Sequence, residues 1–211
     1  MTVKIKIWCE YSYTEATSDW QDSMVAVRNH IEQALDDASM SHDVSIITSE
    51  IPDMPKPINL YDSENSDAWD KWLNDNNAYV EDSNILLMFD KGGVTFGSGR
   101  NPNTTTDGCM TLLGAEDLLG IQGTQTEGKS EHYHDIYNGL HELSHALDAP
   151  TGSSCIGQYW EDNNNEYHRT PAQTKYGSTT VCGLWHNGSY QGNTWWDLTY
   201  YGCAQGYLTD Q

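Results

Sequence analysis

The stretch His141-Glu142-Leu143-Ser144-His145 lies within a run from about 131 to 149 that reads as one helix, stopped by Pro150 and Gly152. Its apolar positions Ile136, Leu140, Leu143 and Leu147 recur at three-to-four spacing and form a stripe suited to packing on a sheet. Residues four apart lie one helical turn above one another, so His141 and His145 can reach a single zinc ion from one face. Glu142 follows the first histidine directly and is placed to take a proton from water and pass it to a leaving amine. Zinc brings the pKa of a water it holds to about 7, so the pattern suits hydrolysis at neutral pH. The plainer alternative is a surface helix carrying two histidines and a glutamate. The separate apolar stripe favours the metal, because it leaves the histidines free to face a cleft.

Upstream, strand and helix alternate. Val3 to Trp8 is alternating and β-branched, a strand. Asp19 to Ala38 carries Trp20, Met24, Val27, Ile31 and Leu35 at helical spacing. Val44 to Ile51 reads as a second strand, closed by Pro52, Pro55 and Pro57, and Ser66 to Val80 as a second helix with Trp69, Trp72 and Leu73 on one face. Ile85 to Phe89 is a buried strand, with shorter strand candidates at Val94 to Phe96 and Cys109 to Leu113. Gly97-Ser98-Gly99-Arg100 lacks the Gly-Lys-Ser/Thr ending and the following helix of a phosphate loop, so a turn or edge strand is expected there. The expected organisation is a single domain over 1–211, with an α/β upper lobe (1–149) and a loop-rich lower lobe (150–211).

Composition narrows the function. Among 211 residues, 31 Asp and Glu face 10 Lys and Arg, a formal net charge of −21. That excludes a nucleic-acid binder working by counterion release and a polybasic membrane anchor. No apolar run approaches the ~18 residues of a membrane span. A hydrophobic fraction of 37%, with eight Trp and thirteen Tyr, is too rich for a disordered acidic chain. The acidity fits either a solvated surface kept for solubility or life in high salt, where the Debye length shrinks to about 3 Å at 1 M and screens self-repulsion. The setting can be extracellular or cytoplasmic; Met1 to Ile7 lacks the apolar centre of a secretory leader. Of five cysteines, Cys155, Cys182 and Cys203 cluster in the last third, where a disulfide and buried thiols are both open.

The motif and the order of elements from residue 3 to 149 resemble the metzincin clan of zinc peptidases, whose pattern is H-E-x-x-H-x-x-G-x-x-H/D followed by a methionine turn. The resemblance implies a metzincin-like mixed twisted sheet with a zinc-bearing helix, and a zinc-dependent endopeptidase acting on polypeptide. His141 and His145 carry over as ligands and Glu142 as general base and acid. The chain departs from the pattern further on. Asp148 stands at the turn glycine, Thr151 at the third ligand, and Ala172 in Arg169-Thr170-Pro171-Ala172 at the methionine.

Catalytic zinc sites normally take a third protein ligand. By ligand chemistry His168 is the first candidate and Asp148 the next, with Glu161, Asp162, Glu166 and His186 behind them. His134 lies about 10 Å along the helix from His141, too far for the same metal. Gly108-Cys109-Met110-Thr111 faintly resembles the cysteine-ligand motif of peptide deformylases, which would make Cys109 a ligand of an amidase. A non-catalytic, degenerate peptidase-like binding module is the other alternative. Trp185, Trp195, Trp196, Tyr200 and Tyr201 could line a substrate groove, bind glycans by stacking, or form the core of the lower lobe. The strand at Cys109 to Leu113 is expected to pair with an extended substrate backbone.

Overall fold

In the computed structural model, the chain is described over residues 2–54, 63–80, 82–89, 97–99, 110–115, 124–126, 136–137, 139–140, 143, 147, 159–161, 167–169, 185–186, 194–198 and 200. The first strand, β1 (Val3–Cys9), has apolar residues on both faces, which suits a position inside a sheet covered on both sides. Ile5, Ile7 and Cys9 enter one core cluster and Trp8 the other. A short helix α1 (Tyr11–Ala16) follows, then α2 (Trp20–Asp37), which buries Met24, Val27, Ile31, Ala34 and Leu35 along one stripe.

Two helices end by the same device. After α2, Ser39 takes a left-handed φ of 60°, and the amides of Ser39 and Met40 bond back to the carbonyls of Asp36 (2.8 Å) and Leu35 (2.9 Å). The strand β2 (His42–Ile46) comes next, and then α3 (Ser63–Asp75). Past α3, Asn77 has φ 50°, with Ala78 N–H on the Leu73 carbonyl at 2.9 Å. β2 stops short of the expected Ile51. Its register with β1 runs from His42 to Ile46, the Ile47 amide adds a last bond to the Ile7 carbonyl at 2.9 Å, and Ile51 is exposed where the chain turns so that Pro52 can accept from the Tyr11 amide.

β3 (Ser83–Phe89), β4 (Gly97–Gly99) and β5 (Met110–Ala115) complete a five-stranded sheet of order β2-β1-β3-β5-β4. β2, β1, β3 and β5 run parallel and β4 is antiparallel at one end. The sequence expectation of a turn or edge strand at Gly97 to Gly99 thus resolves as an edge strand. α2 packs on the Ile5/Ile7/Ile85/Leu87 face and α3 on the Trp8/Leu86/Met88 face. Val94 to Phe96 lies outside the described residues.

A second sheet holds β6 (Thr124–Thr126), β7 (Tyr159–Glu161), β8 (Tyr167–Arg169), β9 (Trp185–His186) and β10 (Thr194–Asp197), in the order β6-β10-β8-β7-β9. The segment 150–211, expected to be loop-rich, therefore contributes four short strands, joined by one from before the motif. Strands this brief carry no legible alternation, so pairing alone reveals them. Among the described residues, no helix is long and apolar enough to cross a membrane.

Candidate functional site

The described part of the motif helix is its apolar side. Residues 136–137, 139–140 and 143 are helical, and the Leu147 amide bonds to the Leu143 carbonyl at 2.9 Å, the i to i−4 bond of an α-helix. Ile136, Leu140, Leu143 and Leu147 are all buried in the cluster formed by α2, β1 and β3. Gly139 sits where the helix comes up against α2. Together with Ile136 and Leu140 it lines a small apolar cavity bounded by Val27, Ile31 and Ile85.

From the other direction the helix is held by Tyr200. Its phenol is fully buried in the same cluster as Leu198, and its hydroxyl donates to the backbone carbonyl of Leu140. Burial pushes the Tyr200 phenol far above its ordinary range, with Tyr137 adding to the effect, so the group stays a donor. Tyr200 is a core residue, but of the cluster formed by α2, β1, β3 and the motif helix and not of a separate lower lobe.

His141, Glu142, His145 and Asp148 lie outside the described residues, as do Cys109, Asp162 and Glu166. His168 falls in β8, at the centre of the second sheet, with Trp160 of β7 and Trp195 of β10 as its direct register partners. Glu161 pairs with Tyr167, the neighbour of His168, and His186 pairs with Tyr159 in the edge strand β9. Among the described residues, no three His, Cys, Asp or Glu side chains gather into a metal-holding group.

One substrate expectation changes. β5 is hydrogen-bonded on both sides, to β3 and to β4, so it has no free edge to offer an extended peptide. β4 is the strand at that end of the sheet.

A buried carboxylate that sequence reasoning missed lies at the carboxyl end of β1. The strand order reverses here, since β2 lies on one side of β1 and β3 on the other, the place where open α/β sheets usually leave a crevice. Glu10 occupies it and is fully buried. Its amide donates to the Leu87 carbonyl at 2.8 Å, and its side chain caps α1 by accepting from the Ser12 amide at 2.7 Å and from the Ser12 hydroxyl. The second carboxylate oxygen accepts from the Met54 amide at 3.3 Å. The carboxylate is thus spent on the chain's own amides. A glutamate at the end of an apolar strand was the available signal, and nothing in its spacing marked it. Beside it, burial and then the Glu10 charge push the Cys9 thiol up to about 12.

The chain matches no model of a known protein family, and no curated protein matches it.

Proposed function

We propose that this chain is a zinc-dependent metallopeptidase, an endopeptidase with a metzincin-like fold, in which His141 and His145 hold the metal and Glu142 is the general base and acid. The observation that carries this reading is the burial of Ile136, Leu140, Leu143 and Leu147 as one stripe. At about 100° per residue, a helix with that stripe inward turns positions 141 and 145 towards its other side. The motif helix's apolar residues are used up in the core. Support for the fold comes from the parallel sheet, its crossover helices and the antiparallel edge strand, all of which precede the motif helix in the order the clan shows.

The donor set suits zinc: two imidazoles, completed by His168 or, failing that, Asp148. When bound, zinc would supply Lewis acidity towards the scissile carbonyl. The Glu142 carboxylate accepts the proton of the attacking water and returns it to the nitrogen of the leaving amine. A polypeptide substrate in extended form would add to the sheet at the β4 edge through main-chain hydrogen bonds.

The test is metal content together with casein or gelatin hydrolysis in high salt. Glu142→Gln should keep the zinc and lose about 10²- to 10⁴-fold in kcat. Zinc-loaded Glu142→Gln protein cutting at the parental rate refutes the role. A parent that binds zinc, melts earlier on chelation and cuts no peptide is a binding module instead.

A further inference from the structure

A hydrogen bond between the C-terminal segment and the motif helix falls at a telling place. Tyr200 donates to the carbonyl of Leu140, sixty residues away and the residue directly before His141. A carbonyl oxygen has two lone pairs, so the phenol can bond it without displacing the helix's own hydrogen bond. The peptide unit is planar, and the plane that carries the Leu140 oxygen also carries the amide nitrogen of His141. Fixing one end of that plane fixes the other. Packing alone would be served equally by Phe, whereas a fully buried hydroxyl is costly unless it is bonded.

The same short segment reaches the strand of the third candidate ligand. Trp195 of β10 is the register partner of His168, and the chain runs from there through Leu198, which shares the motif helix's core cluster, to Tyr200. Five residue steps separate Trp195 from Tyr200 along the chain. One strap thus touches the His168 strand at one end and the peptide leading into His141 at the other.

We infer that Tyr200 is a positioning residue for the metal site, holding the backbone of His141 through the Leu140 carbonyl and keeping the His168 strand in reach of the motif helix. This rests on the metallopeptidase reading. The experiment uses the full chain in high salt and compares the parent with Tyr200→Phe. Its readouts are zinc affinity by chelator competition, the visible spectrum with Co²⁺ in place of zinc, and melting of the metal-free protein. Leu73→Val in α3, on the opposite face of the sheet, is the control for general loss of stability.

Tyr200→Phe should bind zinc about tenfold more weakly, the lower end for groups that orient metal ligands. It should alter the Co²⁺ spectrum and lower kcat with KM unchanged, while Leu73→Val retains parental affinity. Parental affinity and spectrum in Tyr200→Phe would reduce Tyr200 to a packing residue and leave the metallopeptidase reading standing. A parent that takes up no zinc removes both. If Tyr200→Phe does not fold, Leu198→Ala loosens the same strap while keeping the hydroxyl, and unchanged zinc affinity in it overturns the inference.

Discussion

On the face of the first sheet that meets α2, the contacts are mainly aliphatic, with Ile5, Ile7, Ile85 and Leu87 against Val27, Ile31 and Leu35 and against Leu140 and Leu143 of the motif helix, and Tyr13, Tyr137 and Tyr200 complete the cluster. On the opposite face, Trp8, Leu86 and Met88 meet Trp69 and Leu73 of α3. There Trp8 and Trp69 pack edge to face at 5.4 Å, Trp69 stacks on Trp72 at 5.3 Å, and the Trp69 indole N–H donates to the Asn84 carbonyl at 3.3 Å. Rings with fixed geometry and a polar handle hold one helix in one place. Branched aliphatics seat two helices side by side, and the second of these carries the candidate chemistry. The two faces therefore divide their tasks. The tryptophan face stabilises, and the aliphatic face both stabilises and sets the motif helix.

That division can be broken by paired truncations. Trp69→Ala should cost roughly 3–5 kcal/mol and Leu143→Ala roughly 2–5 kcal/mol, measured by denaturant unfolding of the metal-free chain. Zinc affinity of the folded protein should fall in Leu143→Ala and stay parental in Trp69→Ala. Equal losses of affinity would show that the two faces are not separable.

A smaller effect is expected where both faces end. Glu10→Gln would turn an amide NH₂ towards donors that now face a carboxylate oxygen, costing about 1–3 kcal/mol. It should leave zinc affinity alone; a change in affinity would tie the β1 end to the metal site.

Cys9, on the aliphatic face, sharpens the comparison through pH. Its thiol is raised from an ordinary 9.0 to about 12, first by burial and then by Glu10, so the folded state favours the neutral form. The stabilisation is complete below pH 9 and is lost as pH rises from 9 towards 12, by about 1.4 kcal/mol per pH unit at most. The stability of Cys9→Ala should fall less steeply with pH than that of the parent across this window. Parallel curves would show that Cys9 does not contribute.

The smallest change is a gain. Gly139 is helical and lines the small cavity against α2, so Gly139→Ala should raise stability by about 1 kcal/mol. A fall in melting temperature instead would show that the helix backbone already touches α2 too closely for a methyl group.

Some of this was legible in the chain. α2 announces itself through Met24, Val27, Ile31 and Leu35, because an amphipathic stripe must repeat with the helix period. β3 does so through an unbroken apolar run, because a strand covered on both faces has no polar side to show. The stripe Ile136, Leu140, Leu143, Leu147 was readable for the same reason, and it is buried. The end of β2 was not readable, since Thr48 to Ile51 have strand-like residues but the last bond to β1 is that of the Ile47 amide to the Ile7 carbonyl at 2.9 Å. Glu10 was missed because a buried carboxylate is defined by the amides folded around it. The second sheet was missed because strands of two to four residues carry too little pattern to separate from loop.

Local chemistry alone therefore determined where the longer helices and the apolar strands lie and which side of the motif helix is apolar. Those properties depend on neighbours within a turn or two along the chain. Tertiary structure alone decided that Gly97 to Gly99 takes the sheet's edge, that the strand of His168 lies between β10 and β7, and that Tyr200 meets Leu140. Each of these is a meeting of residues far apart in sequence. It is settled by how apolar area and backbone hydrogen bonds are satisfied across the whole fold, and no short-range pattern encodes it.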